Sequence, residues 1–260
     1  FNAPSTVLEP GIIPRSVKTL ELGSWFDQEL VVGSIPPSVT KLYFNSFNQS
    51  FSSFSIPSSV TKLDLGNSFN QVIKRGDIPD SVTHLIVGTY YSKDLAIDSI
   101  PPSVKKLYYN AGHPITVGSI PSSVTDLKLM THFKSPLCPN LIPNSVQYLT
   151  LSDRCNYVLK KKDIPSSVKV LVLGLRFNQQ LEPRVLPSSI RVLQFGIYFN
   201  QPIYEGDIPK GVKFLKLSDQ FNQQIIKNDL PSTLEYLEFG ERFNQEIDGN
   251  DTIPPSVHTL

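Results

Sequence analysis

The chain is poor in the residue types that most chemistry requires. Two cysteines in 260 residues, Cys138 and Cys155, cannot make a disulfide scaffold, and their scarcity points to a reducing compartment. Four histidines, His84, His113, His132 and His258, fall in segments far apart along the chain. No H-E-x-x-H, G-x-S-x-G or C-x-x-C occurs, nor a glycine-rich phosphate loop. Catalysis needs a nucleophile beside a base, paired carboxylates, or metal ligands at fixed spacing. The chain therefore reads as non-enzymatic, with no catalytic, cofactor-binding or metal-binding residue to name.

Charge of one sign is lacking too. Lys and Arg number 24 against 23 Asp and Glu, a net charge of +1, and the longest basic run is Lys160-Lys161-Lys162. Nucleic-acid affinity comes mainly from neutralised phosphates, so this balance excludes such a partner. No apolar stretch approaches the roughly 18 residues that cross a bilayer, and the N-terminus lacks the charged-then-apolar order of a secretory signal. The expectation is an intracellular (cytoplasmic) protein, or a chain whose precursor start is missing.

What the chain has in excess is proline, 22 residues. Placed at random they would break most helices and strands. They are periodic instead. Ile-Pro or Leu-Pro begins at 13, 35, 56, 78, 100, 120, 142, 164, 186, 208, 230 and 253, in steps of 20 to 23 residues and mostly 22. The stacked units read I-P-x-S-V-x-x-L-x-L-G-x-x-F-N-Q-x-I-x-x-x-x. The sharpest runs from Ile164-Pro165 through Val168, Leu171, Leu173 and Gly174 to Phe177-Asn178-Gln179 and Leu181. A unit this short cannot close its own core, so consecutive units must stack and share one.

Inside the unit, L-x-L alternates with the period of a strand, which predicts short strands such as 170–173 and twelve of them side by side in a parallel sheet. The remainder, holding Ile-Pro, lacks helical periodicity and should be extended or turn-like, with little helix. The fold expected is a β-rich solenoid spanning 1–260, eleven to twelve repeats in a right-handed, leucine-rich-repeat-like coil. The Val, Leu, Leu and Phe columns form the core. Asn48, Asn70, Asn178, Asn200, Asn222 and Asn244 turn inward to bond backbone groups at the bend. Ser38, Ser59, Ser81 and Ser167 make local side-chain-to-backbone turns, and Gly66, Gly88, Gly174, Gly196 and Gly240 allow a tight bend or positive φ.

Six columns recurring together over about residues 10–260, with pairs such as Phe221-Asn222 and Ile208-Pro209, resemble the FNIP repeat, a 22-residue variant of the leucine-rich repeat. The I-P-x-S-V-x-x-L-x-L stretch is also similar to the short bacterial leucine-rich repeats. FNIP proteins are known chiefly from social amoebae and giant viruses that infect amoebae, often with an F-box elsewhere. The resemblance implies an interaction module, in some cases one presenting targets to ubiquitin ligases. This sequence has no segment outside the repeats to carry an F-box role.

Departures cluster between 100 and 163. Phe is replaced by His113 and Cys155, and Asn by Asp27, Ser92, Pro114 and Lys134. Cys155 and Cys138 are expected as a buried thiol pair, with a disulfide between adjacent coils as the alternative in a secreted protein. Two glycosylation-type triplets, Asn48-Gln49-Ser50 and Asn250-Asp251-Thr252, are no more than chance supplies, and Asn48 belongs to the buried ladder. Residue 260 stops in mid-strand and the first unit begins irregularly at Phe1-Asn2, so a piece of a longer protein, or a chain with capping supplied elsewhere, is expected.

Outward strand positions line the concave sheet, the surface such proteins offer to partners. In the column before the first strand leucine, Lys41, Lys62 and Lys106 are followed by an apolar run of Tyr148, Val170, Val192, Phe214 and Tyr236. The next outward column adds Tyr43, Tyr108 and Val172. Five coils at ~4.8 Å spacing span ~19 Å. Contiguous apolar patches with aromatic anchors mark interfaces, although β-propensity alone also favours these residues on exposed strands. The expectation is a protein partner held on this strip, with Lys41, Lys62 and Lys106 orienting an acidic portion of it. A self-associating repeat that stacks through uncapped ends, and a carbohydrate or small-ligand binder, are the alternatives.

Overall fold

The computed structural model describes residues 7–52, 54–247 and 252–260. These fall into two compact units, Phe1–Leu127 and Lys128–Leu260. In the first, β1 (Thr19–Leu22), β2 (Lys41–Phe44), β3 (Lys62–Asp64), β4 (His84–Val87) and β5 (Lys106–Tyr109) pair in chain order, all parallel. Strand β6 (Asp126–Leu129) straddles the unit boundary. In the second unit β7 (Tyr148–Thr150), β8 (Val170–Val172), β9 (Val192–Gln194), β10 (Phe214–Lys216) and β11 (Tyr236–Glu238) pair in the same way. The twelfth expected strand is reduced to one bridge between Tyr236 and Thr259. No helix occurs among the described residues. Each unit is a β-solenoid whose register repeats by one coil, Leu171 facing Leu193 and Leu193 facing Leu215.

The inward columns are dry. Val168, Leu171, Leu173, Phe177, Leu181 and Ile164 are all buried, and the same positions are buried in the coils around them. Each such side chain removed from water contributes roughly 1.5–3 kcal/mol. The Phe column stacks coil on coil: ring centroids are 6.1 Å apart for Phe177 and Phe199, 6.2 Å for Phe199 and Phe221, and 6.1 Å for Phe221 and Phe243, with the rings nearly parallel in all three pairs.

Between coils, side chains satisfy backbone groups that no sheet reaches. The Asn178 Oδ1 accepts the Asn200 N–H at 2.8 Å, Asn200 does the same for Asn222 and Asn222 for Asn244. Asp27 takes this role for Asn48. The following glutamine donates to the same oxygen, Gln223 to Asn200 at 3.1 Å. The Asn-Gln pair thus bonds backbone groups at the bend and, in doing so, ties one coil to the next. The serine column also bonds across coils, where a local turn was expected. Ser59, Ser81 and Ser167 donate to the carbonyls of Val39, Val60 and Val146, one coil back. The local turn is made by backbone alone, with Val168 N–H donating to the Pro165 carbonyl. Ser38 is the exception, its hydroxyl buried with no partner among the described residues.

Only Gly66 of the five strand-end glycines has positive φ. At Gly174, Gly196 and Gly240 a Cβ would overlap the carbonyl oxygen of the preceding coil, so close approach is what excludes a side chain there.

Among the described residues, positive φ is concentrated in a different column, two residues before Ile-Pro or Leu-Pro. Gly11, Gly33, Phe54, Gly76, Asp98, Gly118, Asn140, Lys162, Arg184, Gly206 and Asn228 all have it. This left-handed residue turns the chain back towards the sheet. It costs a non-glycine residue roughly 1–2 kcal/mol.

The irregular middle is repaired by tyrosines. In the 20-residue unit beginning at Ile100, Ala111 and Ile115 are buried while His113 is half-buried and Pro114 exposed. The shortening therefore puts Ala111, not His113, in the Phe column, and Pro114 leaves the Asn column. The Tyr109 ring fills the space, its hydroxyl donating to the His113 carbonyl at 3.0 Å, and burial pushes its ionisation up. Cys155 does occupy the Phe column, is buried, and hydrogen-bonds Tyr157. Cys138 is exposed, so the two free cysteines do not form the expected buried pair. Phe1, Asn2, Asn250 and Asp251, where the irregular start and the second glycosylation triplet fall, lie outside the described residues.

Two substitutions test this account. Arg184→Gly should raise stability by about 0.5–1 kcal/mol, since relief of left-handed strain exceeds the added chain entropy. Asn200→Ala should lower it by about 1–3 kcal/mol by leaving the Asn222 N–H without an acceptor. Urea midpoints read both, and a neutral Asn200→Ala would remove the ladder from the account.

Candidate interaction surface

Strands of three or four residues hold one or two inward side chains each and turn the alternate ones to solvent, so the outward columns are set by the same alternation that builds the core. In the second unit this places Tyr148, Val170, Val192, Phe214 and Tyr236 on successive coils, paired residue to residue. Tyr148 is 53 % exposed. The other four are half-buried, because each covers the flank of the next. Phe214 and Tyr236 lie face to face at 4.3 Å and 6°.

Three features border the strip. The next outward column carries Thr150, Val172, Gln194, Lys216 and Glu238. Lys216 pairs with Glu238, whose hydrogen bond holds the ammonium above the usual lysine range, and the Tyr236 hydroxyl donates to Glu238 Oε2 at 3.4 Å. Beyond this column a shallow cavity of about 230 Å³ opens between Val172, Leu175, Gln194, Ile197 and Lys216. On the opposite side stand Lys169, Arg191 and Lys213, all exposed, a row the sequence reading passed over. Arg191 Nη1 donates to the carbonyls of Ser188, Ile190 and Gly211, and Lys213 pairs with Glu235.

The first unit presents a different face. Lys62 Nζ sits 5.2 Å from the centre of the Tyr43 ring, Lys106 pairs with Asp126 at 3.7 Å, and Tyr108 meets His84 edge-on. Lys41 is exposed. Lys62 and Lys106 thus already have partners inside their own unit. His113 Nε2 lies 2.8 Å from Asp94, and no cluster of three or more metal-ligating side chains exists among the described residues.

A second polar constellation, also missed, lies on the return side of the coils. Asp163, Asp207 and Asp229 are buried just before Ile-Pro or Leu-Pro, and each carboxylate accepts the N–H three residues earlier, from Lys160, Tyr204 and Ile226. Burial raises the ionisation of Asp207 and Asp229 above the ordinary carboxylate value, against the hydrogen bonds that lower it. Asp207 is 1 % exposed and its Oδ1 has no partner among the described residues. These carboxylates fasten turns, and their geometry is structural.

The repeat is now defined by its columns and its inter-coil bonds. A sequence profile described as FNIP Repeat matches residues 1–46, 26–68, 69–108, 109–154, 156–198, 199–242 and 221–260. The chain belongs to the FNIP-repeat family. Among solved structures, that of CroV588, a circular leucine-rich-repeat protein, is similar at a TM-score of 0.85 and 33 % identity, covering 96 % of this chain and 37 % of that one. The chain thus spans little more than a third of that protein. The leucine-rich-repeat protein LegL7 from Legionella pneumophila is similar at a TM-score of 0.39 and 18 % identity, over 75 % of this chain and 90 % of that one. No curated protein matches the chain. FNIP and leucine-rich repeats commonly mediate protein–protein contacts and are typically non-enzymatic. No helix among the described residues is long and apolar enough to cross a membrane.

The buried carboxylates of this FNIP chain give a pH signature. A raised folded pKa means the native state holds more protons than the unfolded chain, so that contribution is present at low pH and is lost as pH rises through the folded value. The stability of Asp207→Asn relative to wild type should therefore increase from pH 4 to pH 7. Urea midpoints at both values measure it, and a difference that stays constant or shrinks would contradict the shift.

Proposed function

We propose that this FNIP solenoid is a protein-interaction module that binds its partner on the exposed sheet face of the second unit. The observation that carries the reading is the unbroken apolar strip Tyr148, Val170, Val192, Phe214 and Tyr236, five successive coils on a face turned to solvent. Solvent-facing strand positions seldom stay apolar for so long, and aromatic residues are frequent interface anchors. The adjoining cavity and Val172 extend the apolar area sideways. Carbohydrate binding is disfavoured, because Phe214 and Tyr236 each spend one ring face on the other.

The reading keeps residues 1–260 as one solenoid, since the Ile-Pro step passes the boundary at 127–128 without a break. It also keeps the chain non-enzymatic and intracellular, with neither a nucleic acid nor a membrane as partner. Two free thiols and the balanced charge support this. Tyr43, Tyr108, Lys41, Lys62 and Lys106 would act as a separate polar–aromatic face of the first unit.

The test compares proteins retained from cell extract by the wild-type chain and by a variant with serine at Tyr148, Val170, Val192, Phe214 and Tyr236. Circular dichroism must first show both to be folded. We expect proteins held by the wild type and absent from the variant. Identical recovery would sink the strip as the site, and association of the chain with itself in light scattering would favour a self-assembling repeat.

A further inference from the structure

The spacing, width and charge of the strip select a kind of partner, and this step rests on the functional reading above. We propose that the strip in the second unit receives an amphipathic α-helix with an acidic flank, lying across the strands from β7 to β11.

Spacing comes first. Successive strip residues sit on hydrogen-bonded neighbours, ~4.8 Å apart. A helix repeats its apolar stripe every 5.4 Å, so over the ~19 Å of the strip about 13 helical residues stay within roughly 2–3 Å of register. Same-face residues of an extended peptide are ~6.7 Å apart, and drift by about 8 Å over the same four steps. Helical side chains match the coils and extended ones do not. Width agrees: three-residue strands give a face ~10 Å across, the diameter of a helix.

Charge fixes the flank. Beside the strip, Lys213 and Lys216 are matched by Glu235 and Glu238. Lys169 has no side-chain partner among the described residues, and three backbone carbonyls position the Arg191 guanidinium without neutralising it. Two uncompensated cations therefore stand on adjacent coils next to Val170 and Val192, one of them pre-positioned. Acidic side chains on the partner helix complement them, and pre-organisation lowers the entropic cost of that contact. Across the strip no such row occurs among the described residues. The apolar cavity at Val172, Leu175 and Ile197 takes one large apolar side chain from the opposite flank of the helix.

The experiment pans three displayed peptide libraries of equal length against the full chain. One is helix-patterned with Glu and Asp flanks, one helix-patterned with Lys and Arg flanks, and one strand-patterned. The best peptide is then titrated by fluorescence anisotropy against wild type, Lys169→Glu/Arg191→Glu and Val192→Ser/Phe214→Ser, with circular dichroism confirming that each variant is folded. We expect enrichment from the acidic helical library, a loss of about tenfold or more in affinity on charge reversal, and no measurable binding to the serine variant. Basic or strand-patterned winners that still need Val192 and Phe214 would overturn the acidic helix and leave the strip as the site. So would affinity indifferent to charge reversal, or a chain that self-associates through the strip. Winners that bind the serine variant equally would overturn both readings, and no enrichment from any library would overturn the helix.

Discussion

Every feature of this protein depends on one constraint, that each coil must register on the coil before it. A 22-residue unit buries only a handful of side chains, and none can be enclosed by the unit itself. Burial exists only where Leu171 finds Leu193 and Phe177 finds Phe199 one step along. The polar inventory follows the same rule. Asn178, Gln201, Ser189 and the strand backbone all bond across coils and seldom within one. The signature residues are therefore connectors, and the repeat length is the distance at which they meet.

Close stacking also explains where side chains are forbidden and where substitutions are tolerated. Gly174 and Gly196 are needed because the neighbouring carbonyl occupies the place of a Cβ. The left-handed column accepts Phe54, Lys162 and Arg184, because its side chains point to water and the conformation costs only a little strain per coil. Where the Phe column is weakened, volume is restored by an adjacent tyrosine, Tyr109 beside Ala111 and Tyr157 beside Cys155. Close packing demands filled space more than it demands phenylalanine.

Freed from the core by the same alternation, the outward strand positions can diverge between coils, and the two units use that freedom differently. The first pairs lysines with aromatic and acidic neighbours on its own surface. The second keeps an apolar row between a cationic border and a shallow cavity. An apolar face of that composition is what supports the recognition role proposed for the second unit.

The period of Ile-Pro and the V-x-x-L-x-L alternation were enough, read as sequence, to determine a parallel-stranded solenoid, its inward columns and the position of the apolar strip. Those follow from local spacing and from the need to bury apolar area. The tertiary structure alone decided how the connectors are wired. Nothing in the string Asn-Gln or Ser-Val says whether a side chain bonds its own turn or the next coil, because that choice rests on a 22-residue contact. The left-handed column escaped notice because glycine holds only some of its positions. The shift of Ala111 into the Phe column depended on where a two-residue shortening is absorbed. The buried carboxylates Asp207 and Asp229 look like surface residues until stacked coils close over them, and the cation row at Lys169 and Arg191 becomes a border only once coils lie side by side.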